Sequence, residues 1–299
     1  LIVCLERRDN MFYSPLRYPG GKGKLEPFME LLIRQTGHVG GTYVEPFAGG
    51  AGIALELLEK GIVNDIVIND LDKGIYSFWR AILTETGRFV NDIRNVELTI
   101  DEWNRQREII DECSRYSYEL GFATFYLNRT NRSGIIKGGV IGGTEQAGNW
   151  RMDARFNREA LIGRIVKVAS RKKHIHLYNK DVNSFIQNYL PKYQQNAFVY
   201  FDPPYFGKGK QLYLNFFSYD DHVRIERMIN NQVNCDWVIT YDDVQEIADI
   251  YQNHILKRFD LNYSAAVKRK ASEIIIFKRQ NMIPTDSQLQ QNGICVNLR

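Results

Sequence analysis

The sequence predicts an open, mostly parallel α/β sheet whose strand ends face a ligand, and three stretches carry that expectation. The first is a short strand over Thr42–Glu45 that runs into the glycine-rich turn Phe47–Gly52 and then a helix over Ile53–Lys60. The second is an apolar strand, Ile66–Asp70, that ends in an acid. The third is VYFDPPY, Val199–Tyr205, where an apolar run from Phe198 to Phe201 stops at Asp202. Two prolines follow, and neither can donate to a sheet ladder, so the strand must end there. An acid held this way lies at a strand's C-terminal edge, where open α/β sheets bind their ligands. Pro203 leaves its carbonyl as a fixed acceptor, Pro204 stiffens the turn, and Tyr205 offers a flat ring. Two acceptors and a stacking plate suit a planar group bearing an NH2. Alone, the same run reads as a turn after a strand.

With 299 residues, 44% hydrophobic and 25% charged, the composition is that of a globular chain with a large core. No apolar run approaches membrane-spanning length, so no membrane partner is expected. The start has too short an apolar stretch for a signal peptide, and residues 1–13 read as an extension outside the fold. The four cysteines are scattered, with no CxxC pair, which fits a reducing compartment and argues against a structural metal. Net charge is only +4, but the segment from Arg129 to Lys180 holds twelve Lys or Arg against three acids, a local +9. The rest of the chain is therefore net negative. Such a block suits a polyanion-binding face, and equally a solvated basic helix and loop.

In chain order, SPLRYPGGKGK (Ser14–Lys24) breaks regular structure at Pro19-Gly20-Gly21 and supplies Lys22 beside glycines that let a backbone approach a ligand. It lacks the GxxxxGK[ST] spacing of a phosphate-binding P-loop. A helix follows over Leu25–Gln35. After the glycine turn, Asp70 stands where a ribose is gripped in nucleotide-binding sheets, or where a helix N-cap would sit. Helices are expected over Asp72–Thr86, Phe89–Val96 and Asp101–Leu127, the last broken near Ser114, with Trp79 and Trp103 as core residues. The glycine-rich stretch Tyr126–Trp150 is too long for an ordinary connection. Its Arg129, Asn131, Arg132, Lys137 and Gln146, with Arg155 beyond it, are the residue types that reach phosphates and base edges. A basic helix over Asn157–Lys173 and a strand over Ile175–Tyr178 follow. Asp181 caps the next helix, Val182–Leu190, or accepts from an adenine-like amine. His174 and His176 read as surface residues. Beyond VYFDPPY come an aromatic and basic loop with Lys208 and Lys210, then helices over Asp220–Asn230 and Asp243–Tyr251 and strands over Trp237–Thr240, Lys257–Leu261 and Glu273–Lys278. The turn before Glu273 is basic, and Gln280–Arg299 reads as a frayed polar tail.

These motifs, in this order, resemble the α group of N6-adenine DNA methyltransferases, the family of the bacterial GATC-methylating enzymes. YPGGK (Tyr18–Lys22) resembles the family's N-terminal cofactor motif, VEPFAGGAG (Val44–Gly52) its cofactor loop, and IND (Ile68–Asp70) its ribose-binding acid. LNRTNRSG (Leu127–Gly134) resembles the start of its target-recognition region, DPPY its catalytic motif and EIIIF (Glu273–Phe277) its last strand. Ala51 departs from the family's last loop glycine, and Tyr18 from its tryptophan.

The resemblance implies a Rossmann-like S-adenosylmethionine-dependent methyltransferase sheet formed by residues 14–75 and 174–279. It also implies an inserted, mainly helical target-recognition domain over 76–173. It implies methyl transfer to the N6 amine of an adenine flipped from duplex DNA, without a metal. Asp202, Pro203, Pro204 and Tyr205 would be catalytic. Tyr18, Gly21, Lys22, Glu45, Pro46, Phe47, Gly49, Asp70, Asp181 and Asp202 would bind the cofactor. Arg129, Asn131, Arg132, Lys137, Gln146 and Arg155 would bind DNA. A monomer acting on DNA in a bacterial or phage-infected cytoplasm is expected, with a separate cognate restriction endonuclease as a possible partner. The competing readings are an RNA adenine methyltransferase and a catalytically silent nucleic-acid-binding module.

Overall fold

The computed structural model describes residues 14–17, 25–207, 217–262, 270–294, 296, 298 and 299. One sheet holds seven strands: β1 (Thr42–Glu45), β2 (Asp65–Asn69), β3 (Ile175–Tyr178), β4 (Ala197–Phe201), β5 (Asp236–Asp242), β6 (Ile255–Asn262) and β7 (Lys270–Phe277). Their order is β3-β2-β1-β4-β5-β7-β6. Neighbours are parallel except β7, which runs antiparallel to β5 and β6. The chain moves outward from β1 through β2 to β3, then returns to lay β4 on the other side of β1. That reversal opens a crevice beyond the C-terminal ends of β1 and β4, the place where such sheets bind ligands. Val44 pairs with Val199, so Glu45 and Asp202 follow at the same edge.

Strands buried on both faces are apolar throughout, and every residue of β4 is buried. Alternate side chains leave on opposite faces. Tyr43, Ile66, Ile68, Phe198 and Tyr200 enter one core cluster; Val44, Val67, Val199, Phe201 and Ile239 enter the other. Each such large side chain, fully buried, contributes about 1.5–3 kcal/mol. The first cluster includes residues of α1 (Glu26–Gln35), α2 (Gly52–Glu59), α3 (Lys73–Thr84), α4 (Thr86–Asn95), α5 (Ile100–Glu112), α6 (Tyr118–Thr130) and α7 (Arg158–Ser170). The second includes residues of α8 (Val182–Asn188), α9 (Tyr219–Gln232) and α10 (Gln245–Ile250). The helices between β2 and β3 thus share one continuous core with the sheet.

Local chemistry sets these boundaries. Asp72, not Asp70, caps α3, its carboxylate accepting from Ile75 N at 2.9 Å. Thr99 caps α5 and Ser117 caps α6, so the helical run expected to break near Ser114 is two helices. Gly121 lets α6 press onto α3: a Cβ there would meet the Ser77 carbonyl oxygen at 2.5 Å. Trp79 and Trp103 are buried, as expected.

The C-terminal tail corrects the sequence reading. Thr285 and Gln288 form a reciprocal capping box on a last helix, α11 (Asp286–Gln291). Met282 and Leu289 are buried, Ile294, Val296 and Leu298 pack on the first core cluster, and Arg299 exchanges two backbone hydrogen bonds of 2.9 Å with Arg258. Its hydrophobic residues are too sparse to show a period, yet they dock.

Candidate active site

The turn after β1 is tied to the end of β2 by a set of polar contacts. Ala48 N donates to the Asn69 carbonyl at 2.9 Å, and Gly49 N donates to Asp70 Oδ2 at 2.8 Å. Trp79 Nε1 donates to the Gly49 carbonyl at 2.9 Å. Asn69 Nδ2 donates to the carbonyls of Pro46 (2.9 Å) and Lys180 (3.0 Å), while its Oδ1 accepts from Lys180 N (3.0 Å). Asn69 thereby ties together the chain just after β1, β2 and β3. Gly49 and Ala51 both take left-handed backbone, at φ 47° and 46°. Glycine adopts this freely, while alanine does so at a cost of roughly 1–2 kcal/mol.

Two acids lie in this frame. Glu45 is buried and accepts from Ala54 N at 3.2 Å, in the first turn of α2. Burial, reinforced by the nearby Asp202 charge, raises its carboxyl to about 8. Asp70 accepts from Gly49 N and, through Oδ1, from Asp72 N at 2.9 Å. Burial, with the Asp72 charge adding, raises it to about 7.

At the end of β4, Asp202 accepts a 3.0 Å hydrogen bond from Thr240 Oγ1, and Thr240 is itself 2.8 Å from the Tyr200 hydroxyl. The next residues are clamped from the neighbouring strands. Tyr205 donates its hydroxyl to Glu273 Oε1 at 2.6 Å. The Asp242 carboxylate accepts from Phe206 N (3.0 Å) and Gly207 N (2.8 Å). Asp242 and Glu273 are direct partners across β5 and β7, so both clamps stand side by side.

A cavity of about 560 Å³ opens over these elements, within the usual size range for small-molecule sites. Of the residues expected to bind cofactor, Glu45, Pro46, Phe47, Asp70, Asp181 and Asp202 line it; Pro204 lines it too. Gly49 is not among the lining residues, but its N–H holds the lining acid Asp70. Phe47 meets Phe217 edge to face, with centroids 6.0 Å apart. Asp181 is exposed, and its carboxylate caps α8 by accepting from Ser184 N at 3.0 Å. Pro203 and Tyr205 are buried and are not among the lining residues. Tyr18, Gly21 and Lys22 lie outside the described residues, as do Lys208, Lys210 and most of the basic turn before Glu273. Among the described residues no cluster of His, Cys, Asp or Glu is placed to hold a metal, and no helix is long and apolar enough to cross a membrane.

The six residues expected to meet DNA separate into two groups. Arg129 is buried, with Nε and Nη2 both donating to the Pro15 carbonyl. Asn131 is fully buried: its Oδ1 accepts from Trp103 Nε1 at 2.7 Å, and its Nδ2 donates to the carbonyls of Ile135 (3.0 Å) and Ile136 (2.8 Å). Gln146 closes its own loop, bonding Ile141 O, Gly143 O and Met152 N. These three side chains make their hydrogen bonds within the chain: Arg129 and Asn131 are buried and Gln146 is half-buried, and a buried amide or guanidinium must satisfy its own donors and acceptors. Arg132, Lys137 and Arg155 are exposed on the same segment, with Arg151 and Trp150 beside them.

The sheet order, the acid-ended strands and the Asp-Pro-Pro-Tyr corner define a Rossmann-like methyltransferase. A family model for D12 class N6 adenine-specific DNA methyltransferases matches residues 18–264, and the chain belongs to that family. It is 22% identical over 260 residues to the type II methyltransferase M.MjaIII of Methanocaldococcus jannaschii, covering 74% of this chain and 85% of that one. Among solved structures it aligns with the rRNA methyltransferase aviRa from Streptomyces viridochromogenes at a TM-score of 0.41 and 11% identity, over 92% of this chain and 94% of that one. Protein LPL1258 from Legionella pneumophila aligns at 0.36 and 11%, over 93% and 91%.

Proposed function

We propose that this enzyme transfers a methyl group from S-adenosylmethionine to the N6 amine of an adenine in duplex DNA. The observation that carries the reading is the Asp202 carboxylate, fixed by Thr240 and opening on the same cavity as Asp70 and Glu45. The donor set fits a nucleoside with a charged tail. Asp70 is anchored by two backbone amides at the end of β2, where ribose hydroxyls are gripped, and Asp181 stands at the cavity beyond β3. Phe47 supplies an apolar wall. When bound, S-adenosylmethionine supplies an electrophilic methyl on a sulfonium.

The chain's own work is to present the amine. An adenine amine is a poor nucleophile because its lone pair is delocalised into the ring. Asp202 accepts one N–H and the Pro203 carbonyl the other, which turns the lone pair out of the ring plane toward the cavity. Nitrogen gains positive charge as its new bond forms, and the Asp202 carboxylate stabilises that charge. Thr240 occupies one lone pair of Asp202 and sets its orientation before the base arrives. The stacking role expected of Tyr205 would use the face of its ring, and Glu273 fixes the ring's edge through the hydroxyl. Arg132, Lys137 and Arg155 supply exposed cations for duplex phosphates.

Incubation with methyl-labelled S-adenosylmethionine and either mixed duplex DNA or RNA, followed by nucleoside analysis, tests this. Label in N6-methyldeoxyadenosine is the expected result. Label confined to RNA assigns the enzyme to RNA, and label in neither overturns the reading.

A further inference from the structure

Trp150 is the most exposed large hydrophobic side chain among the described residues, at 74%, whereas Trp79, Trp103 and Trp237 are all buried. An indole left in water forgoes the burial that usually holds tryptophan inside a fold. The loop that carries it is closed on itself, so the exposure is built in. Gln146, at a left-handed φ of 48°, donates from Nε2 to the carbonyls of Ile141 (2.8 Å) and Gly143 (2.6 Å) and accepts at Oε1 from Met152 N (2.9 Å). Left-handed backbone at a residue other than glycine persists only where its surroundings over-determine it. Gly148 N donates to the Gly142 carbonyl at 3.2 Å. Gly142 also presses on Trp150: a Cβ there would meet the Trp150 carbonyl oxygen at 2.8 Å. Further on, Met152 is buried and Phe156 packs on the rings of Phe125 and Tyr126 in α6. The backbone at Trp150 is thus held from both sides while its ring projects into solvent.

The charge around the ring says what it meets. From Asn131 to Phe156 the segment carries four cations, Arg132, Lys137, Arg151 and Arg155, against two acids, Glu145 and Asp153, and all six are exposed. A flat ring among cations is the combination that stacks on nucleic-acid bases while its neighbours meet phosphates. The same segment reaches the cavity, because Ser133 lines it. One stretch therefore borders the cavity that holds Asp202 and carries an outward stacking plate. Drawing an adenine out of a duplex costs unstacking and unpairing energy, and it leaves a gap in the stack. A ring that enters such a gap recovers part of that cost.

We infer that Trp150 inserts into the bound duplex beside the extruded adenine and stacks on the bases that the adenine leaves. The inference rests on the duplex-adenine reading above. Tryptophan suits the role because its broad ring gains stacking energy on any base, and the stapled loop presents it without an ordering step.

The test uses a short duplex spanning an adenine that the enzyme methylates. In the wild type, adding duplex should quench tryptophan emission and shield it from iodide. Trp150→Phe, whose remaining tryptophans are all buried, should show neither change while binding duplex nearly as well. Trp150→Ala is expected to bind roughly 5- to 150-fold more weakly, the value of one base–aromatic stack, with its salt slope unaltered. A mismatched base opposite the target makes extrusion easier, so it should restore most of the single-turnover rate that Trp150→Ala loses. Thermal melting confirms that both variants fold. Unchanged duplex affinity and rate in Trp150→Ala overturn the inference. A rate defect that the mismatch leaves untouched also overturns it, because the ring then acts away from the extruded base. Loss of self-association in sedimentation, with DNA binding intact, overturns it too and gives the ring to a second copy of the chain. Failure of the wild type to bind any duplex overturns the duplex reading itself.

Discussion

The corner after β4, with its two prolines, and the glycine-rich segment from Asn131 to Phe156 both carry polar residues outside regular structure, and they use those residues in opposite ways. At the corner, polar side chains from β5 and β7 reach across to hold the chain: Thr240 on Asp202, Asp242 on Phe206 and Gly207, Glu273 on Tyr205. The result is a carboxylate fixed before any substrate arrives. In the other segment the amides turn inward, Asn131 onto Trp103 and Gln146 onto its own loop, while Arg132, Lys137 and Arg155 stay in solvent. The corner is built for geometry and the segment for charge. A residue's type therefore does not assign its role; its burial does.

The sharpest contrast is between Asn131 and Lys137. Asn131→Ala orphans the buried Trp103 Nε1 and two carbonyls, and is expected to cost about 2–4 kcal/mol in urea unfolding. Lys137→Ala should leave stability within about 0.5 kcal/mol and instead weaken duplex binding evenly across sequences, lowering its salt slope by about 1. If Lys137→Ala destabilised and Asn131→Ala did not, the division between inward amides and outward charges would fail. Next in size is Thr240→Val. Loss of the hydrogen bond to Asp202 should lower kcat roughly 10- to 100-fold with KM little changed, and Thr240→Ser should restore most of it. A KM effect alone would place Thr240 outside catalysis.

Glu45 gives a pH test. Its carboxyl rises from 4.5 to about 8 in the folded protein, so the fold favours its protonated form. That contribution is fully present below pH 4.5 and is lost as pH climbs through about 8. In ligand-free melts, the Tm of Glu45→Gln relative to wild type should therefore rise between pH 5 and 8, and a flat difference would contradict the assigned shift. The smallest expected effect is at the glycine turn. Ala51→Gly relieves a left-handed alanine but frees the unfolded chain, for a net gain of at most about 1 kcal/mol in denaturant unfolding.

Much of the fold was legible because buried parallel strands announce themselves: Thr42–Glu45 and Ile175–Tyr178 run over the same residues in sequence and structure. The acids at strand ends, Asp70 and Asp202, were legible for the same reason. What holds them was not. Thr240, Asp242 and Glu273 act from strands far along the chain, and only the register of β4, β5 and β7 brings them together. One signal was available: Asp242 ends an apolar strand, as Asp70 follows one. Asn69, beside Asp70, carries a similar hint. The inward turn of Asn131 depends on Trp103 lying opposite, which no local pattern reveals. The burial of Arg129 was not legible either, because sequence cannot tell a buried arginine from an exposed one.

Methyl transfer and duplex capture are expected to be separable in this enzyme. The direct measurement is single-turnover methyl transfer at saturating duplex, run beside duplex and cofactor binding, on Asp202→Ala and on the Arg132, Lys137 and Arg155 triple alanine variant. Asp202→Ala is predicted to bind both ligands as wild type does and to transfer at least about a thousandfold more slowly. The triple variant is predicted to lose duplex affinity and salt dependence while its transfer rate, once saturated, stays near wild type. Appreciable methylation by Asp202→Ala, or an unaltered duplex affinity in the triple variant, would contradict the account.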